Sequence, residues 1–285
     1  MKNMDQGQTL SRLPLEMLRL SASAFRPAAC HNLDKKVALL AGLYDPINLK
    51  DMGSVSLQNR IDTKFVLTNR ELLTALAALT ADYRILEIDG VRLNKYQTLY
   101  FDTPGFHLFH DHVNNRPERF KVRCREYADT HLSFLEVKHH TRKDRTIKER
   151  MRTSRPVLSI NEDMDNWLRG VAPLKGAELE PKLWNSFTRM TLVGKNNPER
   201  VTFDFDLSFS SQTSPLNLSG LVIAEVKRDS TGAPSPMMDQ MRAQRIRARG
   251  FSKYAVGVGL LYDRVKKNAL KPKLLFVEKF VKGQA

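Results

Sequence analysis

The chain has 285 residues, enough for one large domain or two small ones, with 41% hydrophobic and 27% charged residues, an ordinary globular balance. Its net charge of +15 is not ordinary and points to a polyanionic partner: nucleic acid, an acidic membrane surface or phosphates. No run of about 18 apolar residues exists, which excludes a membrane-spanning helix, and two cysteines, Cys30 and Cys124, are too few for a disulfide framework or a cysteine-based zinc site.

Residues 1–45 read as a helical N-terminal lead, with a short amphipathic helix at 13–20 and a second helix at 34–43 that puts Val37, Leu40 and Ala41 on one face. The opening stretch MKNMDQGQTLSRLP has no apolar core and no secretory cleavage pattern, so a cytoplasmic setting is expected. Pro46 breaks the chain, and one domain is expected over 46–285. A first charged strand covers 57–67. Asn69 is the predicted N-cap of a helix over 70–79, whose Leu72, Leu73, Leu76 and Leu79 recur at helical spacing. Strands 83–88 and 95–102 are predicted to form a hairpin around Asp89-Gly90, and a short helix follows over 106–113. Three long strands, 117–128, 131–141 and 145–153, are separated by short polar turns and are expected to be antiparallel neighbours. After a helix over 162–169, residues 181–194 begin as a turn or short helix and become a strand through Phe187, Arg189 and Thr191. Strands 199–207 and 219–228 flank a plain polar loop, 208–217. A helix is predicted from Met237 to about Arg249, with Met237, Met241 and Ile246 toward the core and Gly250 as its cap; an apolar segment then runs to Tyr262.

The strands carry an unusual pattern. In Arg119–Tyr127 a period of two puts Arg119, Lys121, Arg123 and Arg125 on one face and Phe120, Val122 and Cys124 on the other. Two unit charges 4 Å apart repel by roughly 4 kcal/mol at an effective dielectric of about 20. Such a face is tolerable splayed into water or with an anion upon it. Other strands repeat the arrangement: Arg60, Asp62 and Lys64; Glu136 and Lys138; Lys148, Arg150 and Arg152; Arg200, Asp204 and Asp206; Glu225 and Lys227. A closed sheet with a charged lumen and outward apolar faces under helices accounts for this. An open sheet with a solvated polar face accounts for the alternation equally well.

Phosphate-binding glycine motifs are absent, and the apolar Gly257-Val-Gly259 reads as packing. The spacing of His107, His110 and His112 does not bring three ligands to one helix face. Arg242, Arg245, Arg247 and Arg249 on the last predicted helix read as a solvated face, and the strand cations lack interleaved exposed aromatics, so nucleic acid is not the expected partner. Glu136 and Glu225 stand in matching Glu-x-Lys strands. Each either neutralises a neighbouring cation or helps hold a Mg²⁺ or Mn²⁺ ion that bridges to a polyphosphate.

In order, RIDTKF, YFDTP, KVRCREY, FLEVK, IKER, SFTR, RVTFDFD, AEVK and FSKY resemble the VTC domain, the catalytic domain of the vacuolar transporter chaperone complex, within the triphosphate tunnel metalloenzyme (CYTH-like) superfamily. The resemblance runs from about Pro46 to Tyr262 and favours the lumen over the open sheet. It implies an α+β fold: an antiparallel eight-stranded β tunnel with flanking helices that binds tri- and polyphosphate. Eukaryotic members make inorganic polyphosphate from ATP with a divalent metal, typically Mn²⁺. By motif, Arg60, Lys64, Arg123, Arg125, Lys138, Lys148 and Lys253 match catalytic cations, and Arg189, Arg200 and Lys227 match substrate-binding ones. Tyr100 matches a lumen position; Lys121 and Arg150 share the charged faces and are expected to bind substrate too. Glu225 matches the metal-binding glutamate, and Glu136 is a second candidate ligand. Hydrolytic relatives open with Glu-x-Glu-x-Lys, where this chain has Arg60-x-Asp62-x-Lys64, a departure that favours chain binding over two-metal hydrolysis. The implied activity is polyphosphate polymerisation from ATP. The alternatives are a tripolyphosphatase or nucleoside triphosphatase, and a non-catalytic polyphosphate-binding module. No stretch matches the phosphate-sensing domain or membrane segments of the eukaryotic complex, so coupling to transport is expected to use a separate membrane partner.

Overall fold

The computed structural model describes residues 28–54, 60–229 and 234–283. The helix expected at 13–20 lies outside them. The described elements, in chain order, are α1 (Ala28–Ala41), β1 (Pro46–Asn48), β2 (Arg60–Thr68), α2 (Asn69–Ala78), β3 (Tyr83–Glu87), β4 (Leu93–Asp102), α3 (His107–Val113), β5 (Arg119–Tyr127), β6 (Leu132–His140), β7 (Thr146–Thr153), α4 (Glu162–Val171), β8 (Glu180–Gly194), β9 (Glu199–Ser210), β10 (Pro215–Leu218), β11 (Leu221–Asp229), α5 (Pro236–Ala243), α6 (Lys253–Leu261) and α7 (Lys271–Val281).

Eight antiparallel strands form one path in the order β2-β11-β9-β8-β4-β5-β6-β7, with β1, β3 and β10 attached to it. The path curls like a tunnel. Lys121 on β5 feels Lys64 on β2, and Lys138 on β6 feels Glu225 and Lys227 on β11, although these strands stand at opposite ends of the order. Hydrogen bonding does not close the curl: among the described residues β2 and β7 do not pair, so the expected barrel has a seam.

Strand alternation decides what lies on each side. The outward residues of β2, β11, β9 and β8, such as Phe65, Val226, Phe203 and Leu192, are buried under α1, α2 and α5. Those of β4, β5 and β6, including Leu99, Val122, Cys124 and Val137, pack against Leu168 of α4 and the segment before it. A fully buried side chain of this kind contributes about 1.5–3 kcal/mol. Inward positions change character along the strands. At one end Val66, Ile223, Tyr100, Leu183 and Phe209 form an apolar plug against α6, and α7 packs behind it. Every residue of α6 from Tyr254 to Gly259 is buried, which explains its all-round apolar sequence. A Cβ on Gly257 would come within 2.6 Å of Leu183 and 2.7 Å of Phe209, so its glycine is a matter of packing, as expected. Among the described residues no helix is long and apolar enough to cross a membrane.

Several local expectations change. The N-cap of α2 is Thr68 rather than Asn69. Thr68 accepts from Glu71 N–H at 3.2 Å while Glu71 accepts from Thr68 N–H at 2.7 Å, a reciprocal box that uses two otherwise orphaned donors. A turn does form at Asp89-Gly90, both at positive φ, but β3 and β4 do not pair along their length; both lie beside β8. Residues 180–194 are strand throughout, and the polar loop 208–217 is mostly a β9–β10 hairpin. The helix expected to reach Arg249 stops at Ala243. Arg245 turns left-handed at φ 58, its N–H bonds Arg242 C=O at 2.9 Å, and Ile246 N–H bonds Met241 C=O at 2.8 Å, a Schellman stop made without glycine. The chain beyond it joins the β2 edge through Arg249 N–H to Lys64 C=O at 2.8 Å.

One buried carboxylate fastens the plug to the sheet. Asp102, at the end of β4, accepts from the N–H groups of Thr103 (2.7 Å), Leu108 (2.9 Å) and Phe109 (2.8 Å), and from the hydroxyl of Tyr254 on α6. It therefore caps α3 and ties α6 to it. Asp102→Ala should lower the unfolding free energy by about 3 kcal/mol because buried donors are stranded, and Tyr254→Phe by about 1 kcal/mol, both read by urea denaturation. An Asp102→Ala protein within about 0.5 kcal/mol of wild type would show that this anchor carries little.

Candidate functional site

Midway along the curl, three carboxylates each stand between two cations. Glu136 on β6 is fully buried; it accepts from Arg123 Nε at 2.8 Å and Nη2 at 2.7 Å across the β5–β6 ladder, and pairs with Lys148 of β7. Asp204 on β9 takes a two-pronged contact from Arg189 of β8 at 2.5 and 2.7 Å and pairs with Lys253, the first residue of α6. Glu225 on β11 is 2.9 Å from Lys64 of β2 and 2.7 Å from Lys227, which also lies 3.7 Å from Asp62. Burial pushes the Glu136 carboxyl up, but Arg123, Arg125 and Lys148 outweigh it and hold it at about 2. Burial likewise opposes, and Arg189 and Lys253 overcome it, for Asp204, also at about 2. Glu225 is depressed further, by Lys227 and Lys64 against burial. All three are therefore anions at neutral pH, and removing one partner of such a buried pair typically costs about 3–5 kcal/mol.

Other cations have no such partner. The register sets Lys121, Lys138 and Lys148 directly opposite one another across β5, β6 and β7, whereas the next row reads Arg123, Glu136 and Arg150. Like charges directly opposite destabilise a sheet. Among the described residues, Lys121, Lys138 and Arg125 have no carboxylate within ion-pair distance. Burial first, then Lys138, Arg123, Arg119 and Lys64, lowers Lys121 well below the usual lysine range. Burial and Arg123 bring Lys138 to about 7 against the pull of Glu225. Burial lowers Lys253 to about 8, with Asp204 opposing and Arg189 assisting.

Aromatic rings line the same space. Tyr96 and Phe187 stack at 5.1 Å and 6°. Arg125 lies 5.5 Å from the Tyr96 centroid, Arg189 5.0 Å from it, and Lys253 4.4 Å from that of Phe187. The ring faces are negative, so they steady cations that would otherwise repel one another. Tyr100 stacks on Tyr254 at 4.9 Å beside Arg123.

The structure thus brings together Lys64, Lys121, Arg123, Arg125, Lys138, Lys148, Arg189, Lys227, Lys253, Tyr100, Glu136 and Glu225. Arg200 stands on the same inward face, opposite Lys227. Arg150 is exposed at the rim, 4.8 Å over the Phe134 ring. The Arg60 side chain lies outside what is described. Sequence reasoning passed over Asp204, Tyr96 and Phe187 as site residues. The inward spacing of Tyr96 with Tyr100, and of Phe187 with Arg189, is the signal that could have found the rings. The arrangement can hold a linear polyanion at several points at once, with an excess of positive charge and fixed orientation.

No curated protein sequence is similar to the chain. Similar solved structures include a candidate adenylate cyclase from Bacillus halodurans (13% identity, TM-score 0.48, covering 72% of this chain and 98% of that one). Another is a Hippeastrum protein described as a candidate adenylyl cyclase with a dominant triphosphatase activity (14% identity, TM-score 0.43, 72% and 98%). A third is the PH1012 protein of Pyrococcus horikoshii (12% identity, TM-score 0.39, 71% and 99%). The VTC domain model matches residues 59–262, the span that holds every strand from β2 to β11 together with α6. The chain belongs to the VTC domain family.

Proposed function

We propose that this chain is a polyphosphate polymerase that transfers the γ-phosphate of ATP to a growing inorganic polyphosphate chain. The observation that carries the reading is the row Lys121–Lys138–Lys148 beside three carboxylates already neutralised by cation pairs. The positive excess needs an anion with many charges in line. Arg125, Lys138 and Lys121 are the donors without a carboxylate partner among the described residues, and Arg123, Arg189, Lys64 and Lys227 are donors held in position by their carboxylates.

In the transfer, an oxygen of the chain's terminal phosphate forms a bond to the γ-phosphorus. The bond from that phosphorus to the β–γ bridging oxygen breaks, and ADP leaves with the electron pair. The attacking oxygen is already anionic, so no general base is required. Hydrolysis would need an activated water. Glu136 and Asp204, each held near 2 by flanking cations, are poor bases for that task. The protein's part is alignment and stabilisation of the phosphoryl charge.

The family implies a divalent metal. Among the described residues no three His, Cys, Asp or Glu side chains converge into a cage. The donor set fits a Mn²⁺ or Mg²⁺ ion held by one carboxylate and completed by phosphate oxygens. Glu225, 20% exposed, suits that role and Asp62 stands near it, whereas Glu136 is enclosed at 0% between Arg123 and Lys148 and suits the anchoring of those two cations. When bound, the metal would neutralise charge on the β- and γ-phosphates.

Incubation with ATP and Mn²⁺ should give long chains on a gel that separates polyphosphate from orthophosphate; orthophosphate alone would identify a hydrolase. Glu225→Gln should abolish metal-dependent turnover while polyphosphate binding persists, and undiminished turnover would remove Glu225 from the metal site. A third expectation concerns pH. A bound anion favours charged Lys138, so affinity is full below about 7 and weakens as the free lysine loses its proton above that value. Tripolyphosphate affinity measured between about pH 6 and 9 should fall less steeply for Lys138→Gln than for wild type. The ligand's own ionisation and that of Lys253 are common to both proteins. Parallel profiles would show that Lys138 does not meet the anion.

A further inference from the structure

The two Glu-x-Lys strands set their glutamates in different company. Glu136 stands between arginines, in the row Arg123, Glu136 and Arg150 across β5, β6 and β7. Glu225 stands in the row Thr191, Thr202, Glu225 and Lys64 across β8, β9, β11 and β2. Directly opposite residues of an antiparallel ladder share a face, with their Cβ atoms about 4.5–5.5 Å apart. Thr202 therefore lies beside Glu225 on the inward face, while its chain neighbours Val201 and Phe203 belong to the outward core. Within its row, one flank of Glu225 carries a lysine and the other carries hydroxyls.

The Thr202 hydroxyl is unsatisfied. The residue is 4% exposed, and its Oγ1 is buried with no hydrogen-bond partner among the described residues. A buried hydroxyl in that state costs free energy that a valine of the same shape would not, so its presence calls for a partner. Lys64, at 2.9 Å, and Lys227, at 2.7 Å, each hold one oxygen of Glu225. A divalent cation drawn to that carboxylate repels these lysines, and the carboxylate then needs a new neighbour to orient it. Carboxylates that hold a metal are themselves hydrogen-bonded by a group behind them. Thr202 is the adjacent residue with a donor to give. Its flank also adds no positive charge, whereas arginines stand on both ladder neighbours of Glu136. We propose that Thr202 is a positioning residue for the divalent cation: its hydroxyl donates a hydrogen bond to the Glu225 carboxylate when that group turns to the ion. The proposal rests on the reading of Glu225 as the carboxylate that holds Mn²⁺ or Mg²⁺, and adds to it a partner on β9.

Two binding measurements on the full chain test this: calorimetry with tripolyphosphate in the presence of EDTA, and water-proton relaxation with the Mn²⁺–tripolyphosphate complex. Wild type is compared with Thr202→Val, Thr202→Ser, Glu225→Gln and the Thr202→Val/Glu225→Gln double variant. Affinity for the Mn²⁺ complex should fall about tenfold in Thr202→Val, the lower end of what such supporting partners are worth. Metal-free tripolyphosphate affinity should stay as in wild type, and Thr202→Ser, which keeps the hydroxyl, should bind the Mn²⁺ complex as wild type does. Because the hydroxyl acts through the carboxylate, the valine should cost nothing further in the Glu225→Gln background. Without ligand, Thr202→Val should melt at or above wild type, since it removes an unsatisfied group; a lower melting temperature would show that the hydroxyl is already bonded and overturn the proposal. Equal losses for both ligands, no loss in Thr202→Val, or a loss that persists in Thr202→Ser or on top of Glu225→Gln would also overturn it, and would leave the lumen standing as a polyphosphate site. Unchanged Mn²⁺-complex affinity in Glu225→Gln would remove Glu225 from the metal site and Thr202 with it. A wild-type chain that binds tripolyphosphate in neither form would overturn the polyphosphate reading itself.

Discussion

The charged interior of this sheet depends on pairing three carboxylates, Glu136, Asp204 and Glu225, with two cations each. Charged side chains on a curled face come close enough to repel strongly, and taking them out of water adds a further cost. Glu136, Asp204 and Glu225 meet that cost at three different joints. Glu136 links β5, β6 and β7; Asp204 links β8, β9 and α6; Glu225 links β2 and β11. Arg123 and Arg189 each hold their carboxylate by two contacts, and Lys227 lies near both Glu225 and Asp62, which places these groups before any ligand arrives. What lacks a carboxylate partner among the described residues, Lys121, Lys138 and Arg125, is then a localised surplus and not a diffuse basic surface.

The apolar plug has a complementary role. It fills the inward face where charge is no longer present, and it positions α6 so that Lys253 reaches Asp204 from the helix start. Asp102 and Tyr254 join that helix to β4 and α3. Packing and electrostatics therefore meet at one helix, whose first residue serves the site and whose remaining residues serve the core.

Period-two alternation made the inward cations legible, because Arg123, Lys138, Lys148, Arg189 and Lys227 each sit opposite an apolar neighbour in sequence. Which of them pair was not legible. Glu225 meets Lys64 only because β11 lies beside β2, a neighbour remote in the chain. Asp204 could be seen as inward, but its partners Arg189 and Lys253 come from β8 and α6. Local signals failed where side chains override the usual residue choice. Arg245 adopts the left-handed turn where glycine is the common stop. Thr68, not Asn69, has the partner Glu71 at the right spacing for the reciprocal cap. The final helix, α7, has Pro272 in its first turn and Leu274 and Val277 buried on one side, a recognisable but short pattern that the reading of the chain stopped before reaching.

The seam between β2 and β7 has a consequence for how copies of the chain behave together. An unpaired strand edge is a template for another molecule's strand, and proteins blunt such edges with charge, lysine above all. β7 is exposed over most of its length and carries Lys148, Glu149, Arg150 and Arg152. The basic residues proposed to meet a polyanion therefore also keep copies apart in its absence. A long polyanion lying along that rim screens the repulsion and at the same time bridges neighbours, so colloidal stability of the protein is tied to the ratio of polymer to protein: lowest where their charges balance and restored when either is in excess.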